Sequence, residues 1–435
     1  MSRPLGRVIG VGICVTLALS FPSPATATGE DDGLWYFEAS GMEQIHESAR
    51  GAGVTIAVLD SQINTDVPDL AGVDLEVHEP SYCAATEGGA AVSAASVAPE
   101  ADHGTAVASM IVGTGAGIGG QPGIVGIAPD ATVRFYSVGV GTADSIRLDC
   151  AVPAGTDVSR ERPETTALRD AIADGADIIS VSNGIVFDTS AIAEAQRAGV
   201  IIVASAGNFG GSTFSPLGAS NGVVSVGSVT PDLAIWTNNP AGPELAVNAP
   251  GVGIRVVNPE YTGYTRSDGS SLATPYTAGV LALAWSTYPN ANANQMIQAL
   301  LRTTGGETHE LLRDDVRGYG LVNARALLAI DPTTLPDENP LLTDGPDREP
   351  TRAEVLGTAT DEPSATPSTA PTSTPQPTAT PSEQESAASG PPIGLIGGGI
   401  ALVAVLLVLT VVLLRRRPSD SDQSHVTGDH HGHQG

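Results

Sequence analysis

Three short, almost uninterrupted apolar runs limit what this chain can fold into: Val54 to Leu59 (VTIAVL), Asp177 to Val181 (DIISV) and Val200 to Ala204 (VIIVA). A strand that is apolar at successive positions buries both of its faces, the pattern of a parallel sheet covered by helices on each side. Further strands are expected at Val133 to Val140, Val223 to Val229 and Leu245 to Ala249. Helices are expected at Ala106 to Val112, Glu164 to Ala173, Ala191 to Ala198, Ser271 to Trp285 and Ala293 to Arg302. This alternation predicts an α/β fold in three layers, a mostly parallel central sheet flanked by helices. Ligands of such sheets bind beyond the carboxyl ends of the strands, and Asp60, Ser182 to Gly184 and Asn208 all fall there.

The flanking segments have a different character. Arg3 and Arg7 precede the apolar stretch Val8 to Phe21, and Ala25-Thr26-Ala27 offers small residues for cleavage, so residues 1–27 read as a signal peptide. Residues 28–53 form a short N-terminal extension to a folded domain expected over 54–335. Residues 336–390 are rich in Pro, Thr and Ser, too poor in apolar groups to offset the entropy of ordering, and read as an extended stalk. Ile393 to Leu414 carries no charge for 22 residues, enough to cross a membrane. Arg415, Arg416 and Arg417 then hold that end on the cytoplasmic side. The expected product is a single-pass membrane protein with its folded domain outside and a cytoplasmic tail over 415–435. His425, His430, His431 and His433 in that tail read as biased, solvent-exposed sequence rather than a metal site.

The 48 acidic residues outnumber the 20 basic ones, and the net charge of -28 repels backbone phosphates, which excludes nucleic acid as a partner. Beyond the signal peptide the only cysteines are Cys83 and Cys150, expected to form one disulfide in an oxidising compartment.

The chemistry-bearing residues are few. Ser271 stands directly before a long apolar helix, where unpaired backbone N–H groups and the helix dipole favour negative charge on a substrate oxygen. Alone, a serine there is usually an N-cap. His103, in His103-Gly104-Thr105 at a helix start, supplies a base able to activate a hydroxyl. The other histidines outside the tail, His46, His78 and His309, lack that context. Asp60 at a strand end would orient the imidazole. Asn208, in Ala206-Gly207-Asn208 after a buried strand, is an ordinary turn residue by itself. Beside a nucleophilic serine its amide can donate to a developing oxyanion.

In the order Asp, His, Ser these blocks resemble the subtilisin-like serine proteases, the subtilases. The resemblance rests on Val58-Leu59-Asp60-Ser61, His103-Gly104-Thr105-Ala106-Val107-Ala108, Ala206-Gly207-Asn208 and Gly269-Ser270-Ser271-Leu272-Ala273-Thr274-Pro275. Gly126-Ile127-Ala128-Pro129 and Gly318-Tyr319-Gly320 add to it, and it covers about Trp35 to Leu328. It implies a subtilisin-like three-layer fold and a serine endopeptidase acting on protein or peptide substrates. Asp60, His103 and Ser271 would be the catalytic triad and Asn208 the oxyanion donor. Ser182, Asn183 and Gly184 would pair with an extended substrate, and Ser205, Ala206 and Gly207 would line a side-chain pocket. No cofactor is required; many relatives carry a structural calcium ion, but its ligands cannot be named here. The family usually has Gly where this chain has Gln62, and Gly-Thr-Ser-Met where it has Gly269-Ser270-Ser271-Leu272. The layout of signal peptide, short extension, protease domain, stalk and span is similar to the mycosins, membrane-anchored subtilases of type VII secretion systems. That resemblance implies secretion-complex components as partners. The alternatives are a weakly active scaffold for such a complex and a general cell-surface subtilase.

Overall fold

The computed structural model describes residues 32–141 and 148–358, all within one compact unit, Met1–Glu362. The expected signal peptide, the expected stalk beyond residue 358, the expected span at 393–414 and the expected tail lie outside these residues. Among the described residues no helix is long and apolar enough to cross a membrane.

Chain order begins with helices α1 (Trp35–Ser40) and α2 (Met42–Ile45), then β1 (Thr55–Asp60), β2 (Leu75–His78), α3 (Asp102–Val112) and β3 (Thr132–Ser137). A short ladder of β4 (Val140–Gly141) and β5 (Leu148–Asp149) leads to α4 (Pro163–Ala173), β6 (Ile178–Val181), α5 (Thr189–Arg197) and β7 (Ile201–Ser205). Next come β8 (Val224–Val229), β9 (Val247–Pro250) and the antiparallel pair β10 (Ile254–Val257) and β11 (Tyr264–Ser267). Helices α6 (Ser270–Thr287), α7 (Ala293–Arg302), α8 (Ala324–Leu328) and α9 (Arg352–Val355) follow.

Seven strands form the central sheet in the order β2-β3-β1-β6-β7-β8-β9, and every pairing in it is parallel. β1, β6 and β7 are buried almost throughout, as their apolar runs require. Side chains of one face, including Ile56, Val58, Ile178 and Val203, pack with α3 and α6. Those of the other, including Ala57, Leu59, Ile179 and Ile202, pack with α4 and α5. Period-2 alternation thus splits one buried run between two cores. Edge strand β2, short and half polar, gave no such signal in the sequence.

Both expected domain boundaries are too narrow. Within the extension 28–53, Tyr36 and Met42 are fully buried in the main core, so α1 and α2 are part of the domain. At the other end, residues 336–358, expected as stalk, fold back as a strap. Leu342 and Val355 bury against Ala193 of α5, and Asn221 donates to the carbonyls of Thr343 and Pro350. Two well-placed aliphatic residues and a buried amide outweigh a polar, Pro-containing composition. Cys83 and Cys150 form a disulfide across a separation of 67 residues.

Candidate active site

β1 delivers Asp60 to the carboxyl end of the sheet, where its side chain is fully buried. His103 sits in the first turn of α3, with Nδ1 2.7 Å from Asp60 Oδ1. The Ser61 backbone N–H also donates to that oxygen at 2.7 Å, while Asp60 Oδ2 meets no partner among the described residues. With Nδ1 turned to the carboxylate, the imidazole offers Nε2 to the cleft, and 24% of the side chain is exposed.

Ser271 lies in the first turn of α6, two residues after the extended Gly269 that caps the helix. A methyl group placed on Gly269 would sit 3.0 Å from Ser271 Oγ and 3.2 Å from Asn208 Nδ2. The hydroxyl and the amide therefore flank one small space that only a glycine leaves free. Asn208 is aimed by Ser270, whose N–H and hydroxyl both donate to Asn208 Oδ1, at 2.9 and 2.8 Å. That leaves Nδ2 as the group facing outward. Gly207, at φ 118°, donates its N–H to Ser270 Oγ at 3.1 Å, in a conformation that side-chain-bearing residues rarely adopt. No hydrogen bond joins His103 to Ser271 among the described residues, a contact that commonly tightens only when substrate is bound.

Residues 51–325 match the profile of the subtilase family. The chain belongs to the subtilase family. Among its relatives, the thermostable alkaline protease of Halalkalibacterium halodurans is 31% identical over 300 residues, covering 67% of this chain and 72% of that one. Subtilisin DY of Bacillus licheniformis is 30% identical over 288 residues, covering 64% and 91%. The fold is shared with solved structures. One is the prenylagaramide maturation protease PagA (TM-score 0.52, 24% identity, covering 66% of this chain and 98% of that chain). Another is the MycP3 protease from the type VII (ESX-3) secretion system (TM-score 0.50, 23% identity, covering 69% and 90%). This subtilase is thus a serine endopeptidase of the subtilisin kind.

Its two departures from the usual motifs are absorbed locally. The Gln62 side chain turns away and donates Nε2 to Ser93 O at 2.7 Å. Its backbone still approaches closely, because Gly104 supplies the clearance: a methyl at 104 would lie 2.5 Å from Gln62 O. Ser270 performs its orienting contacts with a hydroxyl and needs no methyl, and Leu272 is buried as the motif requires.

The segments expected to bind substrate flank this centre. Asn183 Nδ2 donates to Leu59 O at 2.9 Å, which ties Ser182 to Gly184 to the end of β1, and Gly184 is exposed. Ser182 Oγ is buried and meets no partner among the described residues. The Ser205 carbonyl accepts from Ser215 Oγ, and the Ala206 carbonyl accepts from Ser215 N at 2.8 Å. Ala206 is itself fully buried, so it contributes backbone rather than side chain. His46, His78 and His309 are engaged elsewhere, with Ile127 O, Tyr82 and Thr304 respectively.

The electrostatics favour a protonated imidazole. Burial alone would lower the His103 pKa, but the Asp60 charge and hydrogen bond, with the Asp102 charge, outweigh it and raise the value above 6.5. The subtilase's motif reading passed over Asp102, although its place immediately before His103 was the signal for it. Among the described residues no group of three or more His, Cys, Asp or Glu side chains converges, so the structure names no calcium ligands.

Proposed function

We propose that Ser271, His103 and Asp60 are nucleophile, general base and orienting carboxylate in peptide-bond hydrolysis through an acyl-enzyme. The observation that carries this is the space over Gly269, shared by Ser271 Oγ and Asn208 Nδ2, beside an imidazole held by a buried carboxylate. Ser271 Oγ attacks the scissile carbonyl as His103 Nε2 takes its proton. Asp60 keeps Nδ1 protonated and stabilises the imidazolium. Asn208 Nδ2 and the Ser271 N–H donate to the oxyanion. His103 then gives its proton to the leaving amine, and water hydrolyses the ester by the same route in reverse. Ser182 to Gly184 holds the substrate as an added strand, and Ser205 to Gly207 walls the pocket for its side chain.

The finer role is a membrane-tethered, mycosin-like protease working outside the cell with a type VII secretion complex. What supports it is the order of segments in the chain: signal peptide, protease domain, stalk, span and arginine-flanked tail. The test compares the full chain with Ser271→Ala for labelling by a serine-directed phosphonate and for cleavage of a peptide library. Absence of both in the wild type would sink the protease assignment. Crosslinking in native membranes tests the finer role: recovery of secretion-complex components supports it, and their absence leaves a general surface subtilase.

A further inference from the structure

The C-terminal strap does more than cover α5. Together with two loops of the domain and α5 it borders an open cavity of about 250 Å³. The buried walls include Phe187, Ile192 and Leu217, Val186 is 47% exposed, and Asp347 and Glu349 bring two exposed carboxylates from the strap. Neither carboxylate takes part in a hydrogen bond or ion pair among the described residues, and the intervening Arg348 is engaged by Glu244 at 3.2 Å. The strap lies beyond the family-matched residues 51–325.

Two of the pocket's walls are close chain neighbours of the segments expected to hold substrate. Val186 follows Gly184 by two residues, about 7 Å of extended chain, within reach of a long side chain. Pro216 and Leu217 follow directly on Ser215, which bonds to the carbonyls of Ser205 and Ala206. One expected substrate segment is thus followed within two residues by a cavity wall, and the other is hydrogen-bonded to the residue that precedes a wall. Apolar walls with unpaired carboxylates suit an aliphatic stem ending in a cation.

We propose that this cavity is a side-chain subsite of the substrate cleft that takes an arginine or lysine of the extended substrate, with Asp347 and Glu349 reading the charge. The proposal rests on the cleft assignment given above. The test uses the full chain and paired peptides that differ only in arginine against citrulline, its neutral isostere. Cleavage by the wild type, and binding to Ser271→Ala, should favour arginine by about fivefold, an advantage that falls with salt. Asp347→Asn with Glu349→Gln should bring the ratio close to one and leave cleavage of the citrulline peptide unchanged. Val186→Trp, filling the mouth, should also remove the preference. Equal handling of the two peptides by the wild type, or a preference that survives in both variants, overturns the subsite. The binding arm separates the two readings: an arginine preference without any cleavage sinks only the hydrolytic mechanism, and cleavage without the preference sinks only the subsite.

Discussion

Asn208 and His103 carry the sharpest single-residue consequences. Asn208→Ala removes one oxyanion donor and should lower kcat by about 10²- to 10³-fold with KM nearly unchanged, since the interaction strengthens only in the transition state. Steady-state kinetics on one peptide checks this. Activity requires neutral His103, so kcat/KM should fall as pH drops through a pKa raised above 6.5. Asp102 contributes to that rise, and Asp102→Asn should move the acid limb to lower pH, as a pH–rate profile would record. An unmoved limb would leave Asp102 without electrostatic influence on the base. The stability linkage has the opposite direction. A raised folded pKa makes the His103–Asp60 contact stabilising below the unfolded value of 6.5, and that contribution is lost as pH rises through the folded value. At this scale Asp60, His103, Ser271 and Asn208 were legible because each stands in a short motif. The aiming of Asn208 by Ser270 was not, since it depends on two loops 62 residues apart meeting in space.

Helices α3 and α6 convert sequence motifs into a site. α6 is buried nearly all round and crosses β6, β7, β8 and β9, so its first turn is held over the ends of the strands. Gly279 lets it pass the segment after α3 closely: a methyl there would lie 2.7 Å from Ile127 Cβ. α3 makes the same kind of approach at Gly104, next to the base. Gly104→Ala would press on Gln62 O and Phe135, and should cost about 1 to 3 kcal/mol. It should also displace His103. Thermal unfolding and phosphonate labelling should both report the change, and a variant with unaltered melting and labelling would contradict the packing argument. The helix positions were legible from apolar periodicity and from the motif starts. The close approaches were not, because a glycine in a helical pattern reads as a weak spot until its neighbour is known.

Across the whole molecule the ends of the domain were the least legible part. Tyr36, Met42 and Ile45 bury in the main core, and Leu342 and Val355 bury against α5. A chain ending at residue 335 should be less stable by about 3 to 6 kcal/mol, the sum of the two aliphatic burials. Denaturant unfolding against a chain ending at 358 measures this, and equal midpoints would show the strap to be energetically idle. The sequence by itself determined the parallel sheet, the membership of the subtilase family and the sign of the charge, because strand burial, short motifs and net charge are written in residue type and short spacing. Tertiary structure alone decided that the Gln62 side chain turns to Ser93, that Ser270 orients Asn208, and that the strap walls a cavity against α5. Each of these depends on contacts between segments far apart in the chain, whose meeting is set by packing and not by local pattern.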